Sequence, residues 1–173
     1  MGQPNLVVHD FVEQLVFSEK SSDELFWSAV YQKAFPNMVN FMLASGDTVS
    51  QRMGIDRVIL LANGQVIKID EKKRREDRDD ILLEYISVDT TNAPGWIEKD
   101  LAIDYLAYAF MPSKRVYLFP WPMLRRAWMQ YKPVWLSQYK IPPAQNNGYK
   151  TLSVAIPIKE LRSAVSRASF IQL

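Results

Sequence analysis

Two short apolar runs, Val58 to Leu61 and Val66 to Ile69, flank the dipeptide Asn63-Gly64. No other stretch restricts the fold so tightly. Asn and Gly accept the positive φ of a tight turn, so alternating apolar residues around them predict a β-hairpin. The hairpin carries charge to its open end: Asp56 on one strand, and Asp70, Glu71, Lys72 and Lys73 on the other. Register decides which of these meet. A three-residue loop, Ala62-Asn63-Gly64, pairs Leu61 with Gln65, sets Asp56 opposite Asp70 and puts Lys72 on the same face. A two-residue loop slips the pairing by one and sets Asp56 against Glu71, with Lys73 alongside. Both registers remain open at this level.

A chain of 173 residues, 48% hydrophobic and 12% aromatic, is expected to form a single domain (1–173) with a substantial core. No apolar run approaches the roughly 20 residues of a membrane span. Met1-Gly2-Gln3-Pro4 lacks the basic and apolar regions of a signal peptide. The absence of cysteine removes disulfides, zinc–thiolate sites and thiol nucleophiles, and fits a cytoplasmic address. The single histidine, His9, excludes multi-histidine metal sites and is read as a surface or capping residue. A net charge of +2 is too small to announce nucleic acid, so any such evidence must be local.

Phe11 to Phe17 suits a helical turn or two. Ser22 or Asp23 caps a helix to about Ala34, with Leu25, Phe26, Ala29, Val30 and Lys33 on neighbouring turns and Phe35-Pro36 as its stop. Met38 to Ala44 reads as a first strand, and Gly46-Asp47 opens the loop to the hairpin. Lys72 to Asp80 is nine charged residues in succession, read as a solvated loop or as the border of a phosphate-binding surface. Ile81 to Val88 is a further strand containing Glu84, a carboxylate that is costly in a buried strand unless paired or metal-bound. Asn92-Ala93-Pro94-Gly95 is a turn. Ile103 to Phe110 and Arg115 to Phe119 read as strands, with Asp104 and Tyr105 at an edge. Pro122 to Tyr131 is a helix, Lys132 to Gly148 an extended or irregular connection, Thr151 to Ile156 a last strand, and Pro157 opens a last helix to about Arg167. This order predicts an α/β (α+β) fold with a central mixed β-sheet flanked by helices.

Two facing carboxylates hold Mg²⁺ or Mn²⁺, hard cations that prefer oxygen ligands. Such an ion activates water and neutralises phosphate charge, and a neighbouring ammonium stabilises the developing anion. Asp56, Asp70 and Lys72 supply acid, acid and amine. Phosphate-loop, dinucleotide and Gly-x-Ser-x-Gly patterns are absent from the sequence.

Gly54-Ile55-Asp56-Arg57, followed fourteen residues on by Ile69-Asp70-Glu71-Lys72, resembles the signature of the PD-(D/E)XK nuclease superfamily, with Ile55 in place of the name-giving proline. A helix before a hairpin, then further strands and a helix, is similar to its restriction-endonuclease-like core over about residues 20–130. Together with Gly95-Trp96-Ile97, the pattern also looks like small phage or prophage proteins of this type. The resemblance implies catalytic roles for Asp56, Asp70 and Lys72. It implies divalent metal at Asp56 and Asp70, with the main-chain carbonyl of Glu71 as a further ligand, and a loose match for Glu24. The implied activity is phosphodiester hydrolysis, with DNA as the expected nucleic-acid partner. Trp121, Trp128, Tyr131 and Trp135, among Arg125, Arg126 and Lys132, are either base-stacking groups or core, with core expected for most. The alternative reading is a non-catalytic nucleic-acid-binding or protein-interaction module that keeps the fold, its carboxylates serving as surface ion pairs.

Overall fold

The computed structural model describes residues 23–44 and 53–168. His9, Phe11 to Phe17, Ser22 and Gly46-Asp47 lie outside the described residues. The fold is α+β, with nine strands among the described residues, β1 (Met38–Leu43), β2 (Arg57–Leu61), β3 (Val66–Arg74), β4 (Asp80–Val88), β5 (Ala93–Pro94), β6 (Tyr105–Phe110), β7 (Arg115–Pro120), β8 (Pro143–Gln145) and β9 (Lys150–Pro157). Among the described residues three α-helices accompany them: α1 over 23–34, α2 (Trp121–Gln138) and α3 (Ile158–Ala168). The strands divide between a mixed five-stranded sheet, β1-β2-β3-β6-β7, and a four-stranded sheet, β5-β4-β9-β8. No helix among the described residues is long and apolar enough to cross a membrane.

Among the described residues two compact units are distinguishable, one from 23–41 with Ile59–Gln65, the other from 42–44 and 53–58 with 66–168. In the first, α1 buries Trp27 and Tyr31, one turn apart and stacked with centroids 5.5 Å apart. This corrects the expected face: Leu25 is exposed, because the two larger rings remove more apolar surface from water. The turn after α1 is joined to the hairpin loop by the Ala62 N–H, which donates to the Asn37 carbonyl (2.8 Å).

The second unit is built on the parallel pairing of β3 with β6, in which Asp70 aligns with Leu106 and Lys72 with Tyr108. Asp104 sets this register. Its carboxylate accepts the Lys68 N–H (2.8 Å), its own N–H donates to the Lys68 carbonyl (2.8 Å), and its carbonyl accepts the Trp121 N–H (2.8 Å). A residue read as edge surface therefore joins the starts of β6 and α2 to β3. Leu106, Tyr108 and Phe110 share a core with Ile81 and Leu83 of β4, Val154 and Ile156 of β9, and the buried faces of α2 and α3.

Two sequence expectations are corrected. The connection expected over Lys132 to Gly148 is helical through Gln138, with Pro133 inside α2. Proline removes one helical hydrogen bond, but Trp135 beyond it is buried and stacks on Tyr131 at 5.5 Å, and that burial outweighs the break. The charged run is not wholly loop, since Lys72 to Arg74 complete β3. Trp121, Trp128 and Trp135 are core, and Lys132 is held by Glu98 (2.5 Å), which also accepts the Trp128 Nε1 hydrogen (3.0 Å).

Gly95 lies between β5 and the 3-10 turn Trp96–Glu98, and its N–H donates back to the Tyr85 carbonyl of β4 (3.0 Å). A Cβ there would stand 2.2 Å from the Glu84 carbonyl oxygen, a backbone atom that cannot step aside. Gly95→Ala is expected to destabilise the protein by at least about 2 kcal/mol in chemical denaturation, whereas Gly64→Ala, whose Cβ meets nothing within 4 Å, meets only the smaller penalty of its positive φ.

Candidate metal and phosphoryl-chemistry site

The hairpin turn is the three-residue form. Gly64 has φ +82°, its N–H donates to the Leu61 carbonyl (2.9 Å), and the Leu61 N–H donates to the Gln65 carbonyl (2.9 Å). Asn63 Oδ1 accepts the Gln65 N–H (3.0 Å), which shapes the loop without using the strand groups. Leu61 therefore faces Gln65, as the first of the two registers requires.

At the open end, charges sort onto two faces. Arg57 and Glu71 share one face in a forked pair, Nε to Oε1 at 2.7 Å and Nη2 to Oε2 at 3.3 Å, with side chains only 1% and 8% exposed. Asp56, Asp70 and Lys72 share the other. The Asp56 N–H donates to the Ile69 carbonyl (2.9 Å), Asp56 Oδ2 accepts the Glu71 N–H (2.7 Å), and Lys72 Nζ donates to Asp70 Oδ1 (2.5 Å). The register with Asp56, Glu71 and Lys73 together does not occur, because the Glu71 side chain is turned to Arg57. Sequence reading did not anticipate Arg57 as that partner; its place one residue after Asp56, hence on the opposite face, was the available signal.

Asp70 is the unusual member. Its side chain is 3% exposed, against 31% for Lys72, because the parallel register lays it beside buried Leu106. Burial pushes its carboxyl up from 3.8 to about 7; the Lys72 ammonium lowers it, and the adjacent Asp56 carboxylate raises it again. Asp70 Oδ2 is buried and meets no hydrogen-bond donor among the described residues, a state that is expensive for a carboxylate.

That orphaned oxygen, beside a second carboxylate, fits a hard divalent cation, which takes oxygen ligands and offsets both charges. Asp56 and Asp70 would hold it with side-chain oxygens, and Glu71 has only its main-chain carbonyl to offer. Among the described residues, no group of three or more His, Asp or Glu side chains gathers for a metal, so the remaining positions would fall to main chain, water or substrate.

Other candidates lie elsewhere. Glu84 sits on β4 in the second sheet, paired with Ser153, and not on the strands that carry the acids. Glu24 is exposed on α1. The charged run is largely self-neutralised, with Arg74 on Asp80 (2.5 Å) and Arg78 on Glu76 (2.5 Å). Comparison of the chain with protein-family models, with curated proteins and with solved structures finds no match.

Two outcomes follow for the metal-free protein. A carboxyl raised in the folded state stabilises below its unfolded value and loses that contribution as pH rises through the folded value. Stability should therefore fall by a few kcal/mol between pH 3.8 and about 7, and Asp70→Asn should flatten that slope in denaturation curves across the window. Glu71→Ala leaves the Arg57 guanidinium buried without its carboxylate and should destabilise by about 3–5 kcal/mol.

Proposed function

We propose that the protein is a metal-dependent nuclease that hydrolyses phosphodiester bonds of nucleic acid, with DNA as the substrate expected from the resemblance to the PD-(D/E)XK superfamily. The observation that carries this reading is the convergence of Asp56, Asp70 and Lys72 on one face of the hairpin, with a buried Asp70 oxygen left unpartnered. Ordinary surface ion pairs do not bury one carboxylate against another, and they contribute little. The interaction-module reading explains the lysine but gives no reason for the second acid.

In this reading Asp56 and Asp70 bind Mg²⁺ or Mn²⁺. When bound, the ion supplies a water of lowered pKa and neutralises charge on the phosphate. The chain's own groups do the rest. The Lys72 ammonium, anchored on Asp70 Oδ1, orients the attacking water or stabilises the extra negative charge on phosphorus-bound oxygen. The Glu71 N–H fixes the Asp56 carboxylate. The Arg57–Glu71 pair on the far face holds the strand segment that presents all three.

Millimolar Mg²⁺ or Mn²⁺ is expected to raise the melting temperature, by about 2.7 kcal/mol of added stability at roughly a hundred times the Kd. Cation binding needs ionised carboxylates, so the shift should grow as pH rises past about 7. Asp70→Asn should abolish both the shift and metal-dependent cleavage of DNA; Lys72→Ala should remove cleavage and leave a metal shift. A melting temperature indifferent to both metals across this pH range would sink the nuclease reading.

A further inference from the structure

A second candidate site is an open cleft of about 640 Å³ between the start of α3 and β7, large enough for a small ligand. One wall is apolar, formed by Tyr117, Pro157 and Ile158, and the rim carries Arg115, Lys159 and Arg162 against one carboxylate, Asp79. The Ile158 N–H donates to the Asp79 carbonyl (2.9 Å), so the two sides of the cleft are joined through the backbone.

The cations are not consumed by the fold. Arg115 is positioned by the Phe110 ring (5.1 Å) and by the Ser113 hydroxyl and Arg78 carbonyl (3.1 and 3.2 Å), yet its carboxylate neighbours Asp77 and Asp79 are each 3.9 Å away. Lys159 and Arg162 are exposed and form no ion pair among the described residues. The one acid of α3, Glu160, pairs instead with Arg167 (3.3 Å). A lysine in the first turn of a helix is opposed by the helix dipole, so helix stability does not account for Lys159. Tyr117 is half-buried, with its ring stacked on Phe119 at 6.2 Å and braced edge-on by Phe110 at 6.1 Å. An immobilised ring beside three cations is complementary to a flat base joined to a phosphate.

We propose that this cleft binds a nucleoside phosphate, with the phosphate on Arg115, Lys159 and Arg162 and the base against Tyr117 and Ile158. The ligand is either a free nucleotide or one nucleotide of a strand. The assignment stands on the cleft alone and does not require the nuclease reading.

Titrations of the full chain with inorganic phosphate, 5′-AMP and a short oligothymidylate test it. A nucleoside phosphate should bind more tightly than inorganic phosphate. Lys159→Ala with Arg162→Ala should weaken that binding at least roughly tenfold, about 1.4 kcal/mol, and leave the melting temperature unchanged. Binding of 5′-AMP identifies a free-nucleotide site; binding of the oligonucleotide alone identifies a strand site, and its salt dependence should flatten by about one contact per cation removed. Asp70→Asn should leave the affinity intact, while the double variant keeps any metal-induced thermal shift, so this site and the hairpin site fail separately. The proposal is overturned if neither nucleotide ligand binds, if inorganic phosphate binds as tightly as they do, or if the double variant binds like the wild type.

Discussion

Which charges share a face of the β2–β3 hairpin depends on a single residue of register, and the buried ion pair between Arg57 and Glu71 holds that register. The Gly64 backbone at φ +82° permits the three-residue loop. The forked pair, almost wholly excluded from water, then makes any slip costly, because a shift by one residue would strip a buried guanidinium of its carboxylate. On the opposite face the same register gathers Asp56, Asp70 and Lys72. A structural ion pair and the acid–acid–amine cluster are thus two sides of one strand pairing.

Burial makes the cluster more than a set of surface charges. Asp70 is drawn inward by parallel pairing with β6, which Asp104 locks at the strand entry through bonds to Lys68. Its carboxyl is consequently shifted toward neutrality, and one oxygen lacks a donor. Sites that accept such a cost commonly do so for chemistry, since preorganised charge in a low-dielectric setting interacts strongly with a cation or a developing anion. Lys72 is more exposed than Asp70, and Asp56 is exposed as well, so the cluster opens to solvent on the side away from the core.

Much of the fold was legible in the residues. The hairpin announced itself through Asn63-Gly64, and the strands near Met38, Ile81, Ile103, Arg115 and Thr151 through apolar patterning, as did the last helix after Pro157. Local pattern failed where distant packing decides. Lys132 to Gly148 reads as an irregular connection, yet the buried Trp135 carries α2 past Pro133 to Gln138. Ile81 to Val88 reads as a strand without revealing its sheet; β4 pairs with β9, apart from the hairpin's sheet, and takes Glu84 with it.

The sequence by itself determined the candidate set: two acids and an amine at the mouth of one hairpin, with no thiol and no histidine cluster to compete. It did so because turn chemistry and strand alternation are local and act within a few residues. Only the tertiary structure decided that Asp56 joins Asp70 and not Glu71, that Arg57 claims Glu71, and that Asp70 is buried. Those outcomes arise from hydrogen bonds across strands and from the packing around Leu106, interactions between residues far apart in the chain.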